Sequence, residues 1–360
     1  MKICFLTHNL DVKNGGGRFS LELVRQLKKI DHKLTALGLT TVDSGLVWAK
    51  NILPIDKITL ILSIARIRKI FKDCDIIHAL DGWPYGLIAV LAGLGLKKKI
   101  IITAIGSGSI KPLYQPLFSR MLSGVYGRAD KLTAISSYTA REIIKKVPGL
   151  KIEVIPLGVD FNAFINLGEN LPRAIINPYI ISVGRLKPRK GYLESIRVFF
   201  KVNQKMPELK YVIVGSGRGE YFKELQVLIK KLRLEDKIIF KENISDEELA
   251  ALYRGAELFM LLPQNDNFDV EGFGLVYLEA AVFGLPVIGS LDCGAEDAVS
   301  DGRNGYLLEP KDIEKASRLV LLILRDKNLR QQFSRASVEL AKKMTYRRMA
   351  QRYLELYKSL

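Results

Sequence analysis

Short apolar runs alternate with helix-length amphipathic stretches almost from the first residue of this 360-residue chain, and the alternation is played through twice. In the first half the runs at 2–7, 33–39, 75–79, 99–104, 131–135 and 151–155 have strand length. Helical stretches at 18–30, 58–71, 85–94, 113–126 and 137–146 separate them. Strands parted by helices imply a parallel sheet covered on both faces. The rhythm stops between Pro156 and Pro178, a stretch with three prolines (Pro156, Pro172, Pro178) that reads as a linker. It then restarts, with strands expected at 179–183, 210–214, 237–240, 258–262 and 286–289. Helices are expected between them at 192–205, 220–232, 246–255 and 274–283. The implied fold class is α/β, with two Rossmann-like doubly wound domains at 1–165 and 166–342. A last helix, 343–360, carries an apolar stripe (Met349, Tyr353, Leu356, Tyr357) that needs a partner and is expected to pack back on the first domain. Doubly wound sheets bind ligands at the carboxyl ends of their strands, so two such ends facing each other would make an interdomain cleft.

Apolar residues make up 48% of the chain and charged ones 26%, the composition of a soluble globular protein and not of a disordered one. The longest charge-free stretch, Gly82 to Leu96, contains Pro84 and falls short of the ~20 residues of a membrane span. Residues 1–7 do not have the pattern of a signal peptide. Cys4, Cys74 and Cys293 form neither a disulfide framework nor a zinc pattern, and a cytoplasmic location is expected. The net charge of +17 is uneven. Residues 1–165 hold 24 Lys and Arg against 12 Asp and Glu, leaving 31 against 26 for the rest. A basic first half suits an anionic membrane face, and the basic amphipathic stretch 58–71 with Lys97-Lys98-Lys99 could dock there; a core-facing helix with a solvated basic face accounts for it equally. No zinc-finger spacing or RNA-binding signature points to nucleic acid.

Four segments carry the chemistry. Gly15-Gly16-Gly17-Arg18 follows the first strand and opens the first helix, where bare backbone can approach a phosphate or sugar. It is not the dinucleotide fingerprint, which argues against a nicotinamide dehydrogenase. Gly184-Arg185-Leu186-Lys187-Pro188-Arg189-Lys190-Gly191 follows the first strand of the second domain. Arg185 and Lys190, held by a proline between glycines, can place two cations on one diphosphate, unless they form only a solvated turn. Gly215-Ser216-Gly217 is a third close-approach loop. Ser245-Asp246-Glu247-Glu248 is a capping box, and Ile244 before it sits where a nucleobase could lie.

The fourth segment, Glu271 to Glu279, spaces two carboxylates around a glycine turn running into an apolar helix. Amides near Gly272, Phe273, Gly274 and Leu275 can face an anion, with Glu271 and Glu279 reaching polyols on either side. That spacing fits a ligand built as sugar, diphosphate, sugar; the alternative is an ordinary loop-to-helix junction. Asp266, Asp269 and Glu271 invite a metal reading, but Arg185, Lys190 and the helix start already supply positive charge, and no metal or other cofactor is expected. Of three histidines, His78 ends the third strand at the ligand edge of the first sheet.

Together, and in this order, these motifs resemble glycosyltransferase family 4: retaining, nucleotide-sugar-dependent enzymes of the GT-B fold. The likeness takes in nearly the whole chain, including Ile155-Pro156-Leu157-Gly158-Val159-Asp160. Asp269-Val270-Glu271-Gly272-Phe273-Gly274-Leu275 is similar to the phosphatidylinositol mannosyltransferase and lipopolysaccharide branches. The resemblance implies that Arg185 and Lys190 hold the leaving diphosphate, Glu271 meets the transferred sugar and Glu279 the ribose. It also implies that the Gly15–Gly17 loop closes over donor and acceptor, and that the leaving phosphate helps to deprotonate the acceptor. Many relatives carry His-x-His where this chain reads His78-Ala79-Leu80-Asp81. This departs from the family pattern; His78 is the candidate catalytic residue that the strand end offers, and Asp81, with Gly15 and Arg18, is a candidate for the acceptor.

The implied function is transfer of a hexose from a UDP-sugar or GDP-mannose to a lipid-linked or polysaccharide acceptor in cell-envelope glycan assembly, with peripheral contact at the inner face of the cytoplasmic membrane. A nucleotide-sugar epimerase of the same fold and a non-catalytic nucleotide-sugar-binding protein remain the alternatives.

Overall fold

Every pairing between named strands is parallel, as expected for strands parted by helices and buried on both faces. The structure, a computed structural model, describes residues 1–11, 15–40, 46, 48–51, 57–167, 171 and 178–360. Part of the expected linker (168–170 and 172–177, Pro172 included) lies outside them, as do the first side chains of the basic helix at 58–71.

The first sheet is built from β1 (Lys2–Leu6), β2 (Thr35–Thr40), β3 (Ala49–Asn51), β4 (Ile76–Leu80), β5 (Lys99–Ala104), β6 (Lys131–Ala134) and β7 (Ile152–Val154), ordered β3-β2-β1-β4-β5-β6-β7. Its helices are α1 (Gly15–Ile30), α2 (Lys57–Lys72), α3 (Leu87–Gly93), α4 (Ser107–Ile110), α5 (Pro116–Tyr126) and α6 (Ser137–Lys146). The second half holds α7 (Phe161–Ile165), β8 (Tyr179–Val183), α8 (Tyr192–Asn203), β9 (Lys210–Val214), α9 (Glu220–Lys231), β10 (Ile238–Lys241) and α10 (Asp246–Gly255). It continues with β11 (Leu258–Met260), α11 (Leu275–Val282), β12 (Val287–Ser290), β13 (Gly305–Leu308), α12 (Ile313–Arg325), α13 (Lys327–Lys343) and α14 (Tyr346–Lys358). Its sheet runs β10-β9-β8-β11-β12-β13.

Central strands are buried throughout because helices cover both faces: Ile-Ile-His-Ala-Leu in β4 and Tyr-Ile-Ile-Ser-Val in β8 are buried at every position. Helix starts obey capping chemistry. Ser136 accepts from the Thr139 amide at α6, and Ser245 with Glu248 forms the full capping box at α10.

Contacts divide the chain into Met1–Gly158 with Tyr346–Leu360, and Val159–Thr345. The boundaries at 165 and 342 therefore shift: α7 lies with the second unit, where it packs on α11, and the Val159 amide donates to the Met344 carbonyl. α14 belongs to the first unit and packs along α1. Its stripe is the reason, since Met349, Tyr353, Leu356 and Tyr357 are all buried there. β3, β13, α12 and α13 are additions to the expected elements. No helix among the described residues is long and apolar enough to cross a membrane.

Candidate functional site

Strand order reverses at the same place in both units, between β1 and β4 and between β8 and β11. The carboxyl ends at such a reversal form the ligand crevice of a doubly wound sheet. In the second unit the crevice gathers charge. Past the end of β8, the Gly184 amide donates to the Val214 carbonyl (2.9 Å) and the Leu186 amide to the Ser216 carbonyl (3.0 Å). Gly184, Gly215 and Gly217 are thereby drawn into two turns lying side by side; a methyl group on Gly215 would overlap the Gly184 carbonyl. A single helical turn, Pro188–Lys190, then swings the chain into α8. The two cations expected to act together have different surroundings. Arg185 is exposed and forms no ion pair with any described residue, whereas Lys190 is buried.

Lys190 points at Glu271. Its Nζ lies 2.5 Å from Glu271 Oε2, and Arg189 Nη1 reaches the same oxygen at 2.9 Å. Arg189 Nη1 also donates to the Val270 carbonyl (3.3 Å), and its Nε lies 3.4 Å from Asp269. Glu271 is 8% exposed. Burial alone would push its carboxyl up, but the charges and hydrogen bonds of Lys190 and Arg189 outweigh burial and hold it down at about 2. The segment itself is fixed by its backbone: Asp266 and Asp269 exchange two amide–carbonyl bonds, and the Gly294 amide donates to the Glu271 carbonyl (2.8 Å). A side chain on Gly294 would run into the Gly272–Phe273 peptide.

Gly274 has φ 80°, a left-handed conformation that glycine adopts without strain, and it turns the chain into α11 one residue later. Phe273 and Leu275 are buried, so their side chains serve the core while their backbone forms the turn. Glu279, on the same helix, is 4% exposed and accepts from the Tyr253 hydroxyl at 3.3 Å. Ile244 is half-buried between β10 and α10, beside Asn243 with φ 56°.

The first unit's crevice is different. Gly15–Gly17 form the first turn of α1. Gly17 is held to glycine by packing, because a methyl group there would overlap Asn9 and the Asp11 backbone, while Gly15 faces open space. Gly16 offers its carbonyl to Ser20 (2.9 Å), and Arg18 is half-buried beside it. Asp81 closes β4 with φ 143°; its carboxylate accepts from the Gly82 amide (2.8 Å) and the Ser109 hydroxyl. Burial pushes that carboxyl up to about 7 against those two hydrogen bonds.

The expectation that His78 is catalytic requires correction. His78 is 0% exposed, and its ring nitrogens are both engaged, Nδ1 with Tyr357 Oη (2.8 Å) and Nε2 with Thr103 Oγ1 (2.7 Å). Burial lowers its pKa to about 3, so the ring is neutral and ties α14 to the sheet. Its place at a strand end suggested the crevice. In β4, however, Asp81 lies beyond it, and the His78 side chain faces the helix layer.

Sequence reasoning passed over three residues. Arg189 was visible as a third cation in the Gly184–Gly191 turn, but nothing in the spacing distinguishes it from a solvated arginine. Gly294 and Tyr253 come from distant segments, and only folding brings them to Glu271 and Glu279.

Two family models match the chain: Glycosyltransferase Family 4 over residues 13–163 and Glycosyl transferases group 1 over residues 173–339. A GDP-mannose-dependent alpha-(1-6)-phosphatidylinositol monomannoside mannosyltransferase of Mycolicibacterium smegmatis is 28% identical over 259 residues. That alignment takes in 68% of this chain and 65% of the relative, a little under two thirds of its length. Among solved structures, Anabaena HepE in complex with UDP-glucose matches over 100% of both chains with a TM-score of 0.82 at 20% identity. Sucrose-phosphate synthase from Thermosynechococcus elongatus matches over 100% of this chain and 98% of its own, with a TM-score of 0.79 at 19% identity. The two sheets are those of the GT-B fold. With the two family models matching its first and second halves in turn, this chain belongs to the family 4, group 1 glycosyltransferases.

Proposed function

We propose that the protein is a retaining hexosyltransferase that moves a sugar from a UDP-sugar or GDP-mannose to a lipid-linked or polysaccharide acceptor in cell-envelope glycan assembly. The observation that carries this is the cluster at the β8–β11 crevice, where an ionised Glu271 shares a buried pocket with Lys190 while Arg185 stands unpaired beside the Gly184 and Gly215 turns. In this reading Arg185 and Lys190 take the leaving diphosphate and the turn before α11 faces it. Glu271 orients the transferred sugar, and Glu279, set by Tyr253, takes the ribose. Gly15, Arg18 and Asp81 serve the acceptor. No resident metal is proposed, because Arg189 and Lys190 already neutralise Asp269 and Glu271, and the remaining positive charge suits the diphosphate. A peripheral hold on an anionic membrane is supported by the excess of cations in residues 1–165, with Arg66, Lys69 and Lys72 exposed on α2.

The test is a thermal-shift panel of UDP-, GDP- and ADP-sugars on the purified chain, followed by transfer assays to lipid-linked acceptors and product anomer analysis. Stabilisation by one nucleotide sugar and a product retaining the donor's α configuration is the expected result. Stabilisation by none, or conversion of donor alone into its epimer, would overturn the reading.

A further inference from the structure

We propose that Arg189 is a positioning residue for Glu271, fixing this carboxylate so that Lys190 is left to serve the donor diphosphate; this rests on the function proposed above. Two cations converge on one oxygen, Glu271 Oε2, although a single carboxylate needs only one of them. They are held very differently. Arg189 is anchored at several points: its side chain engages Glu271, Asp269 and the Val270 carbonyl, and its own carbonyl accepts from the Gln264 amide at 2.9 Å. It thereby spans the turn after β8 and the segment before α11. Lys190 holds Glu271 by its terminal ammonium alone, and the end of that side chain lies against Gly184, at the start of the turn that carries Arg185.

A buried carboxylate stripped of its only partner is strongly destabilised. With Arg189 in place, the Lys190 ammonium can turn from Glu271 to an incoming diphosphate while the carboxylate stays paired, ionised and aimed. Asp269 balances the second charge of the pair. The other titratable groups facing Glu271 are the Tyr192 and Tyr277 hydroxyls and the Cys293 thiol, all kept neutral by burial. Arg189 and Lys190 are thus the charges that set the ionisation of Glu271.

The experiment compares Arg189→Met and Arg189→Lys with Lys190→Ala, using calorimetric binding of UDP and GDP and turnover of whichever of UDP-glucose and GDP-mannose the wild type uses. Arg189→Met is expected to lose about 100-fold in kcat, the scale of a misplaced catalytic group, while binding the nucleotide within about threefold of wild type. The acid limb of its rate profile moves to higher pH, because Glu271 loses a cation that holds its pKa down. Arg189→Lys recovers most of kcat and of the acid limb. A fall in kcat with the acid limb unmoved and no rescue by lysine would overturn the inference, as would nucleotide binding weakened as much as in Lys190→Ala. Should Arg189→Met fail to fold, Arg189→Gln replaces it and is read in the same way: a lower kcat with the acid limb moved to higher pH and nucleotide binding kept supports the inference, while an unchanged kcat, an unmoved acid limb or a collapse of nucleotide binding overturns it. Full activity in Glu271→Ala would overturn the proposed function as well, so the two failures are distinguishable.

Discussion

The two units share one strand order through their first six strands and use the reversal point in opposite ways. At the β8–β11 reversal, buried charge is concentrated: Glu271 lies under Lys190 and Arg189, with Arg185 exposed nearby. At the β1–β4 reversal the one buried imidazole is spent on structure, and bare backbone at Gly15 and the half-buried Asp81 are what remain at the edge. Shared topology fixes where a ligand can sit; the side chains at the strand ends decide whether that place does electrostatics or shape.

Removing charge from the second unit should give the largest effects. Glu271→Ala and Lys190→Ala are each expected to abolish transfer, by about 1000-fold or more, with circular dichroism unchanged. Arg185→Ala should also lose activity, yet its melting temperature should match wild type, since this cation is unpaired in the ligand-free protein. Lys190→Ala should cost about 2 kcal/mol of stability, because Glu271 then rests on Arg189 alone. Equal stability of the two variants in urea melts would erase the distinction drawn between these cations.

His78 sharpens the comparison from the other side. His78→Ala should cost about 3 kcal/mol through a cavity and a Tyr357 hydroxyl that loses its His78 partner, while the kcat–pH profile keeps its shape. The sign of its pH dependence follows from a depressed pKa. Unfolded His78 binds a proton near pH ~6.5 and the folded ring only near 3, so its contribution is complete above pH ~6.5 and is lost as pH falls toward 3. Denaturation of wild type and His78→Ala at pH 7 and pH 5 should show the gap between them narrowing at the lower pH. A pH–rate profile that changes shape in the variant would return His78 to the chemistry.

The smallest effects belong to the glycine turn. Gly17→Ala should cost about 1–3 kcal/mol by overlap with Asn9 and Asp11, whereas Gly15→Ala should leave stability level or raise it by up to about 1 kcal/mol. If the backbone at Gly15 meets the acceptor, that second variant should raise the acceptor KM without lowering the melting temperature; an unchanged KM removes Gly15 from the site.

The legible part of this protein was whatever is local along the chain. Runs such as 179–183 and 210–214, spaced by amphipathic helices, become parallel strands because their period and burial are properties of neighbouring residues. The Ser245 capping box forms as read, and Arg185, Lys190, Glu271 and Glu279 fall in one unit because their segments follow strands of one sheet. Orientation and long-range pairing were not legible. Strand alternation says which residues share a face, but not whether that face meets ligand or a helix, and so His78 was assigned to the crevice when α14 covers it. The stripe on α14 signalled that a partner was needed, while the hydrogen bonds from Tyr357 and Tyr353 into the β4–β6 threonines and histidine depend on residues more than two hundred positions away. Arg189 differs from Lys187 on paper by little, and only packing separates them, burying one against two carboxylates and leaving the other in water. Sequence determined the elements, their order and the charged residues on offer; tertiary structure decided which of those charges are paired, because pairing depends on what is removed from water together.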